Sequence, residues 1–160
     1  MNTNTTIKKR IFTMAMRGNT AILTDSSNPQ STISFKGENL SIIGLQLLNK
    51  LLESMPTQRL NYKVAVLLPH TVVIPTFENT RNAWIANGKT KTGNDIEPAK
   101  LHEVIRLNEL LRAKGHNVEI FDQSKLTSVM YKSFTRKTWE LMDKIVPKAE
   151  AEDCNAFMVQ

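Results

Sequence analysis

The strongest constraint on the fold of this chain is a group of three short β-type runs within residues 10–36. The first, RIFTMAM, is followed after Gly18 and Asn19 by TAILTDS, and this spacing predicts a β-hairpin. A turn at residues 28–30 is expected to lead into STISFKG, where apolar and polar side chains alternate. The three runs therefore predict an antiparallel meander at the start of the domain.

The rest of the chain alternates between helical and β-type patterns. The segments are a helix at 38–55, a buried strand at 62–77, a partly helical polar stretch at 78–98, a helix at 99–114, a strand at 117–122 and a helix at 133–146. Gly44 lies on the apolar stripe of the first helix, which indicates close approach to a sheet. The resulting order, β-β-β-α-β-α-α-β-α, predicts an α/β domain with a five-stranded mixed sheet, helices packed on it, and a crossover between the third and fourth strands.

The ends of the chain are polar and rich in small residues. We therefore expect one domain over residues 8–147, a flexible N-terminus at 1–7 and a flexible acidic tail at 148–160.

The charge distribution favours a polyanionic partner. The formal net charge is +6, and the tail holds Glu150, Glu152 and Asp153. Residues 1–149 therefore hold 21 basic against 12 acidic side chains. A basic folded region with a short acidic tail is typical of nucleic-acid-binding proteins, although net charge is also compatible with a soluble basic protein that binds none.

Several kinds of chemistry lack their usual sequence signals. The one cysteine, Cys154, has no partner for a disulfide or a metal site, which favours a reducing, cytoplasmic setting. No apolar run approaches the roughly 20 residues that cross a bilayer, and no secretory signal follows the basic N-terminus, so no membrane association is expected. His70, His102 and His116 show no metal-ligand spacing, and only His70 lies near a strand end. No phosphate-binding loop or dinucleotide fingerprint is present, and no cofactor is expected.

Three segments carry a resemblance to the ribonuclease H-like superfamily. RIFTMAMRGN resembles the first strand of the family, in which an Ile-Phe-Thr-type run leads to a metal-binding Asp and then a Gly-Asn turn. NLSIIGLQLLNKLL is similar to the first helix, including the small residue Gly44 that faces the sheet. NAWIANGKTKTGNDIEPAKLHEVIRLNELL resembles the handle of ribonuclease HI, where a Trp-Ile helix leads into a basic loop. The resemblance covers residues 8–146 and implies a ribonuclease H-like fold.

The same resemblance implies that catalysis is lost. The family hydrolyses phosphodiester bonds with two divalent metals held by four carboxylates. The matching positions fall at Met14, near Ser41, at Leu68 or Pro69, and near Trp139. Because Mg²⁺ requires hard oxygen ligands, these residues build no metal site, and no catalytic residue is expected.

Other acids leave an alternative open. Asp25 would replace Met14 if AILTDSS were the first strand, although only two strands would then precede the first helix. Asp122 ends the predicted fifth strand, and Glu140 and Asp143 lie on the last predicted helix. A non-standard metal site that uses Asp25, Asp122, Glu140 or Asp143 would give a residual metal-dependent nuclease.

The resemblance retains a binding surface. In ribonuclease HI the Gly-Asn turn and the handle contact the backbone of an RNA–DNA hybrid, separately from cleavage. The matching residues and the neighbouring cations form the predicted nucleic-acid-binding set: Arg17, Gly18, Asn19, Trp84, Asn87, Lys89, Lys91, Arg136 and Lys137. Lysine and arginine at such places supply salt-sensitive affinity for phosphate. A packing role for Trp84 and a merely solvated loop for Lys89 and Lys91 are the alternatives.

Two functions from different classes follow. The first is a non-catalytic protein that binds RNA or an RNA–DNA hybrid. The second is a protein-interaction adaptor or inhibitor, in which an apolar pocket of Met14, Met16, Leu68 and Trp139 docks a protein partner. A compact, disabled nuclease fold also suggests a phage or mobile-element origin.

Overall fold

The computed structural model describes residues 10–147 as a five-stranded mixed sheet with helices on both faces. The strands are β1 (Ile11–Arg17), β2 (Thr20–Asp25), β3 (Asn28–Lys36), β4 (Val64–Leu68) and β5 (Val118–Asp122). The helices are α1 (Leu40–Glu53), the single-turn α2 (His70–Val73), α3 (Glu78–Asn87), α4 (Pro98–Lys114) and α5 (Val129–Ile145). The predicted order of elements is confirmed, with α2 as an addition. The predicted flexible ends at 1–7 and 148–160 lie outside the described residues.

The strand order in the sheet is β3-β2-β1-β4-β5. β1 pairs antiparallel with β2 and parallel with β4, while β4 pairs parallel with β5. Because β3 runs in the same direction as β4, the α1 connection between them is the predicted crossover. We call the side of the sheet where β1, β4 and β5 end the carboxyl edge, and the side where they begin the amino edge.

Alternation along the strands divides the core into two layers. Met14, Leu23 and Val66 belong to a large cluster shared with α1, α3 and α4. Ala15 and Ile22, which alternate with them, pack against α5 in a separate cluster on the other face. The central strands are therefore buried on both faces, as expected for parallel strands covered by helices.

Gly44 of α1 faces the sheet, as predicted. A Cβ atom at this position would come within 2.8 Å of the Met16 Sδ and 3.0 Å of a Val72 methyl group. The missing side chain therefore allows α1 to approach β1 and α2 closely.

The turn predicted at residues 28–30 is wrong. β3 already begins at Asn28, which pairs with Asp25, so residues 26–27 form the turn. The cause is the Asp25 carboxylate, which accepts hydrogen bonds from the Ser27 backbone N–H at 3.0 Å and hydroxyl at 2.7 Å. Such a turn closed by an aspartate side chain is a common alternative to one built on proline.

The buried strand predicted within residues 62–77, a run in which Pro69 and Pro75 limit pairing, is shorter than this run. Only Val64–Leu68 is extended, and the chain then forms α2 and a 3₁₀ turn at Ile74–Thr76. Pro69 has no N–H to continue the sheet, and it stands directly before the first helical turn. An apolar run of this kind does not by itself distinguish a buried strand from a buried helical turn.

The helix boundaries differ from the predictions by up to one turn. α1 is capped by Asn39, whose side chain accepts from the Ser41 N–H. α5 begins at Val129 because Ser128 caps it, four residues before the predicted start. In α4, Ile105 is 43% exposed although it lies in the apolar pattern of the predicted helix, and Leu110 is buried.

None of the helices within residues 10–147 combines the length and the apolar character that crossing a membrane requires.

Candidate functional site

The predicted Gly-Asn turn joins β1 to β2 at the carboxyl edge. Gly18 has a φ of +62°, whereas no non-glycine residue of the described chain, Asn19 included, has a positive φ. A positive φ at the first of the two turn residues only is typical of a type II′ hairpin turn. Asn19 is exposed, and its side-chain oxygen accepts a hydrogen bond from the Thr20 hydroxyl at 3.1 Å. The turn therefore presents an exposed amide on a rigid hairpin.

Arg17, beside this turn, is already bonded to α5. Its guanidinium forms an ion pair with Asp143, donates to the Val146 carbonyl at 3.2 Å and lies 5.8 Å from the centre of the Trp139 ring. The side chain is 18% exposed. Arg17 thus attaches the hairpin to α5, and its predicted contact with phosphate would have to be made by donors that these partners leave free.

Trp84 lies in the core rather than on the surface. It is buried in the large cluster, and the Lys100 ammonium group lies 5.2 Å from the centre of its ring. Burial lowers the pKa of Lys100. This geometry favours the packing role for Trp84, with Lys100 as a cation–π partner that covers it.

The handle loop, residues 88–97, is compact and carries the next predicted cations. Backbone hydrogen bonds from Thr90 N–H to the Asn94 carbonyl and from Ile96 N–H to the Gly88 carbonyl close it at 2.8 Å and 3.0 Å. Lys89 and Lys91 are both exposed. The Lys89 ammonium lies 3.9 Å from the Asp95 carboxylate, at the limit of an ion pair.

Asn87, the last residue of α3, is exposed next to this loop. Gly88 follows it with a φ of +67° and ends the helix in the left-handed conformation that favours glycine. Arg81, buried on the same helix, donates to the Asn108 side chain at 2.9 Å and the Thr76 carbonyl at 2.8 Å. α3 is therefore held firmly in place, and Asn87 with it.

Arg136 and Lys137 lie on the solvent-facing side of α5, and Lys132 lies one turn before Arg136 on the same side. All three side chains are exposed, and within residues 10–147 none of them forms an ion pair with a carboxylate. We call Lys132, Arg136 and Lys137 the α5 basic surface. Lys132 was missed by the sequence prediction, although its four-residue spacing from Arg136 places both on one helix face.

The predicted binding residues form two separate groups. Arg17, Gly18 and Asn19 adjoin the end of α5, since Val146 contacts both Arg17 and the space beside Gly18. The α3 residues and the handle loop lie on the opposite face of the sheet, where α3 packs against α4. A nucleic acid that contacts both groups would have to pass around the carboxyl edge.

The carboxyl edge between β1 and β4 is filled by an amide side chain. The two strands pair as far as Thr13 and Leu67, and beyond this point Gln123 donates to the Met14 carbonyl at 2.7 Å and the Leu67 carbonyl at 2.9 Å. The Gln123 side-chain oxygen accepts from the Trp139 indole N–H at 3.0 Å. The Gln123 side chain therefore bonds to both strands and to Trp139 at this crevice.

The positions implied for the four metal-binding carboxylates do not fit divalent metals. Met14 and Leu68 are fully buried in the apolar cluster, and the Ser41 hydroxyl donates to the Asn39 side chain at 2.7 Å. Trp139 packs on the opposite face of the sheet. Within residues 10–147, no three His, Cys, Asp or Glu side chains come together in a group that could hold a metal ion.

Asp122 and His70 form a pair at the carboxyl edge, at the end of β5 and the start of α2. The His70 Nδ1 lies 2.6 Å from the Asp122 carboxylate, whose side chain is only 8% exposed. The Ser124 hydroxyl and N–H also donate to Asp122, at 2.6 Å and 2.9 Å. Burial acts to raise the pKa of Asp122, but the hydrogen bonds from Ser124 and His70 outweigh it and lower this pKa to about 2.

Asp25 lies at the amino edge, at the end of the second strand. Since three strands precede α1 and RIFTMAM is the first of them, the alternative in which Asp25 replaces Met14 is wrong. The Asp25 carboxylate accepts from the Arg10 guanidinium at 2.7 Å. Burial acts to raise the pKa of Asp25, but the hydrogen bonds from Arg10 and Ser27 lower it below its ordinary value.

The apolar pocket expected for an adaptor is absent in the form predicted. Met14 and Leu68 are fully buried, Met16 packs against the same cluster, and Trp139 belongs to the cluster on the other side of the sheet. A protein partner cannot reach these four side chains together, because the sheet lies between them.

Comparison of the chain with known protein families and with curated protein sequences finds no match.

Proposed function

We propose that this chain is a non-catalytic nucleic-acid-binding protein on a ribonuclease H-like fold, with RNA or an RNA–DNA hybrid as its ligand. The observation that carries the proposal is the α5 basic surface, three exposed cations on the solvent-facing side of one helix without a carboxylate partner in residues 10–147. A cation that is paired with a carboxylate is already neutralised. An unpaired cation, in contrast, attracts a polyanion and releases its counterions on binding.

The spacing of these cations suits a phosphate backbone. Helix residues three or four apart have Cβ atoms about 5–6 Å apart, so the long side chains of Lys132 and Arg136 can reach neighbouring phosphates of one strand. Lys137 extends the surface to the adjoining side of the helix. Asn19 at the hairpin turn and the handle loop are further candidate contacts, and an exposed amide can bond to either a phosphate or a ribose hydroxyl.

The ribonuclease H-like assignment is supported by the element order, by Gly44 against the sheet and by the central position of RIFTMAM as β1. The preference for RNA or a hybrid rests on the resemblance of the turn and the handle to ribonuclease HI. Loss of cleavage is proposed because the residues at the four carboxylate positions supply no cage for a metal.

The proposal is tested by salt titrations of binding to single-stranded RNA, an RNA–DNA hybrid and duplex DNA. The variant Lys132→Gln/Arg136→Gln/Lys137→Gln is compared with wild type and with the control Arg59→Gln/Lys63→Gln/Arg112→Gln. The control removes three other exposed cations, none of which is in an ion pair within the described residues, so both variants lose the same charge.

For three phosphate contacts, the α5 variant is expected to bind about tenfold or more weakly near physiological salt, with the slope of log K against log salt smaller by about 2–3. The control should lose clearly less, and the hybrid should stay intact when Mg²⁺ is added. Absence of binding at low salt would refute nucleic-acid binding. Equal losses in the two variants would refute the α5 surface as its site.

A further inference from the structure

A cavity of about 660 Å³ opens at the amino edge, on the face of the sheet that carries α1. It lies between the strand ends of the meander and the segment that follows α1. The volume falls within the roughly 300–1,000 Å³ typical of small-molecule sites. No residue of the α5 basic surface or the handle loop lines it, so the inference that follows does not depend on nucleic-acid binding.

The wall of this cavity is mostly apolar. Side chains from the sheet and from the end of α1 contribute to it, including Phe12, Leu23, Ile33, Leu51, Met55 and Leu60. Ile33 on β3 is 37% exposed because α1 does not extend over this end of the strand. A concave apolar wall of this kind favours ligands with an apolar body.

Among the charged groups at the cavity, both acids are paired with an arginine and the one lysine is not. The Asp25 carboxylate is bonded to Arg10, and the Glu53 carboxylate lies 3.3 Å from Arg106. Lys50, in the last turn of α1, is exposed and has no ion-pair partner within residues 10–147. Lys50 therefore places at the cavity a positive charge that no carboxylate of the described chain pairs with, whereas each of the two acids lies within ion-pair distance of an arginine.

From this geometry we infer that the amino-edge cavity binds a small amphipathic monoanion, an apolar body with a single carboxylate or similar group. The apolar part lies against the strand side chains, and the anionic group lies at the rim beside Lys50. Arg10 adds a second donor there, because one of its two terminal nitrogens is bonded to Asp25 and the guanidinium has further N–H groups.

The inference is tested by calorimetric titration of the full chain with three probes of equal chain length: decanoate, decanol and decyltrimethylammonium. Decanoate should bind with a dissociation constant below about 1 mM, and the other two more weakly. Lys50→Gln should weaken decanoate binding by about fivefold and leave decanol unchanged. Lys137→Gln, which removes an exposed lysine far from the cavity, is the matched control and should bind all three as wild type does.

A second variant tests the position of the apolar body. Ile33→Trp adds bulk at a partly exposed residue of the wall, so the fold tolerates it, and binding of decanoate and decanol should both decrease. Circular dichroism is used to verify that each variant is folded. Equal binding of the three probes, no binding of decanoate, or wild-type decanoate affinity in Lys50→Gln would each overturn the inference. Nucleic-acid binding by the same Lys50→Gln sample should be retained, which separates this failure from failure of the proposed function.

Discussion

The two edges of the sheet hold the same local motif in different surroundings. At each edge a strand ends in an aspartate that accepts two hydrogen bonds from the serine two residues later, Asp25 at the amino edge and Asp122 at the carboxyl edge. Each carboxylate also has a basic partner, Arg10 or His70. The amino edge opens into a cavity, whereas at the carboxyl edge the Gln123 side chain fills the space between two strands.

This difference indicates that the fold alone does not determine where a site lies. The carboxyl edge, where the resemblance places catalysis, is occupied by Met14, Leu68 and a satisfied amide. A cavity of about 660 Å³ lies at the other edge beside the end of α1, and one of about 370 Å³ lies at the carboxyl edge beside Asp122, away from Met14. The side chains and helix lengths around a sheet therefore decide where it leaves room for a ligand. Two sheets with the same strand order can differ in this respect.

The largest expected effect comes from placing an acid at the carboxyl edge. Met14→Asp places a carboxylate in a fully buried apolar cluster, so we expect a loss of about 4 kcal/mol or more in the free energy of unfolding. Met14→Leu, which conserves volume, should cost less than about 1.5 kcal/mol. Urea unfolding measures both, with and without Mg²⁺. If Met14→Asp has near-native stability with Mg²⁺ but not without it, this edge can accept a metal.

The next effect concerns the amide that fills the crevice. Gln123→Ala leaves two backbone carbonyls and the Trp139 N–H without partners, so a loss of about 2–4 kcal/mol is expected. Gln58→Ala, at an exposed side chain, should change stability by no more than about 0.5 kcal/mol. Urea unfolding measures both variants, and indole fluorescence reports the environments of Trp139 and Trp84 together. Equal stability of the two variants would mean that water replaces the Gln123 side chain without cost.

The smallest effect is expected from replacing either aspartate by asparagine, and the loss of stability depends on pH. The pKa of Asp122 is lowered to about 2 in the folded chain, so its contribution is fully present above about pH 4 and is lost as pH falls toward 2. Asp122→Asn should therefore lower the free energy of unfolding by about 1–2 kcal/mol at neutral pH, and the difference should vanish near pH 2. Unfolding in urea from pH 7 down to pH 2 measures the difference.

Asp25→Asn is the comparison at the amino edge. The pKa of Asp25 is also lowered in the folded chain. Asp25→Asn should therefore also lower the free energy of unfolding at neutral pH, and this loss should likewise fade in acid. A constant difference between Asp122→Asn and wild type down to pH 2 would contradict the role assigned to the Asp122 hydrogen bonds.

Much of the fold could be predicted because periodicity and turn residues are local signals. The Gly18-Asn19 hairpin, the sheet-facing Gly44 and the order of the elements all follow from short segments. The turn at residues 26–27 could not be read from proline and glycine alone, because the Asp25 side chain forms it. The helical turn after Pro69 was missed because its apolar run fits a buried strand equally well.

The candidate sites were less predictable because they depend on residues far apart in sequence. Gln123 meets Met14 across 109 positions, and no pattern near either residue indicates this contact. The amino-edge cavity depends on where α1 stops relative to β2 and β3. Lys132 was missed for a local reason, since the predicted helix begins at residue 133 whereas α5 begins at Val129.

The strand order has a consequence for the chain as it is synthesised. β1, β2 and β3 pair with their sequence neighbours, so the meander can form as soon as residue 36 is available. The other side of β1 stays unpaired until β4 has been synthesised, and the whole of α1 lies before β4 in the sequence. Until Val64–Leu68 arrives, the central strand of the finished sheet is an exposed edge. We therefore expect nascent chains that stall before β4 to be the form most prone to aggregation.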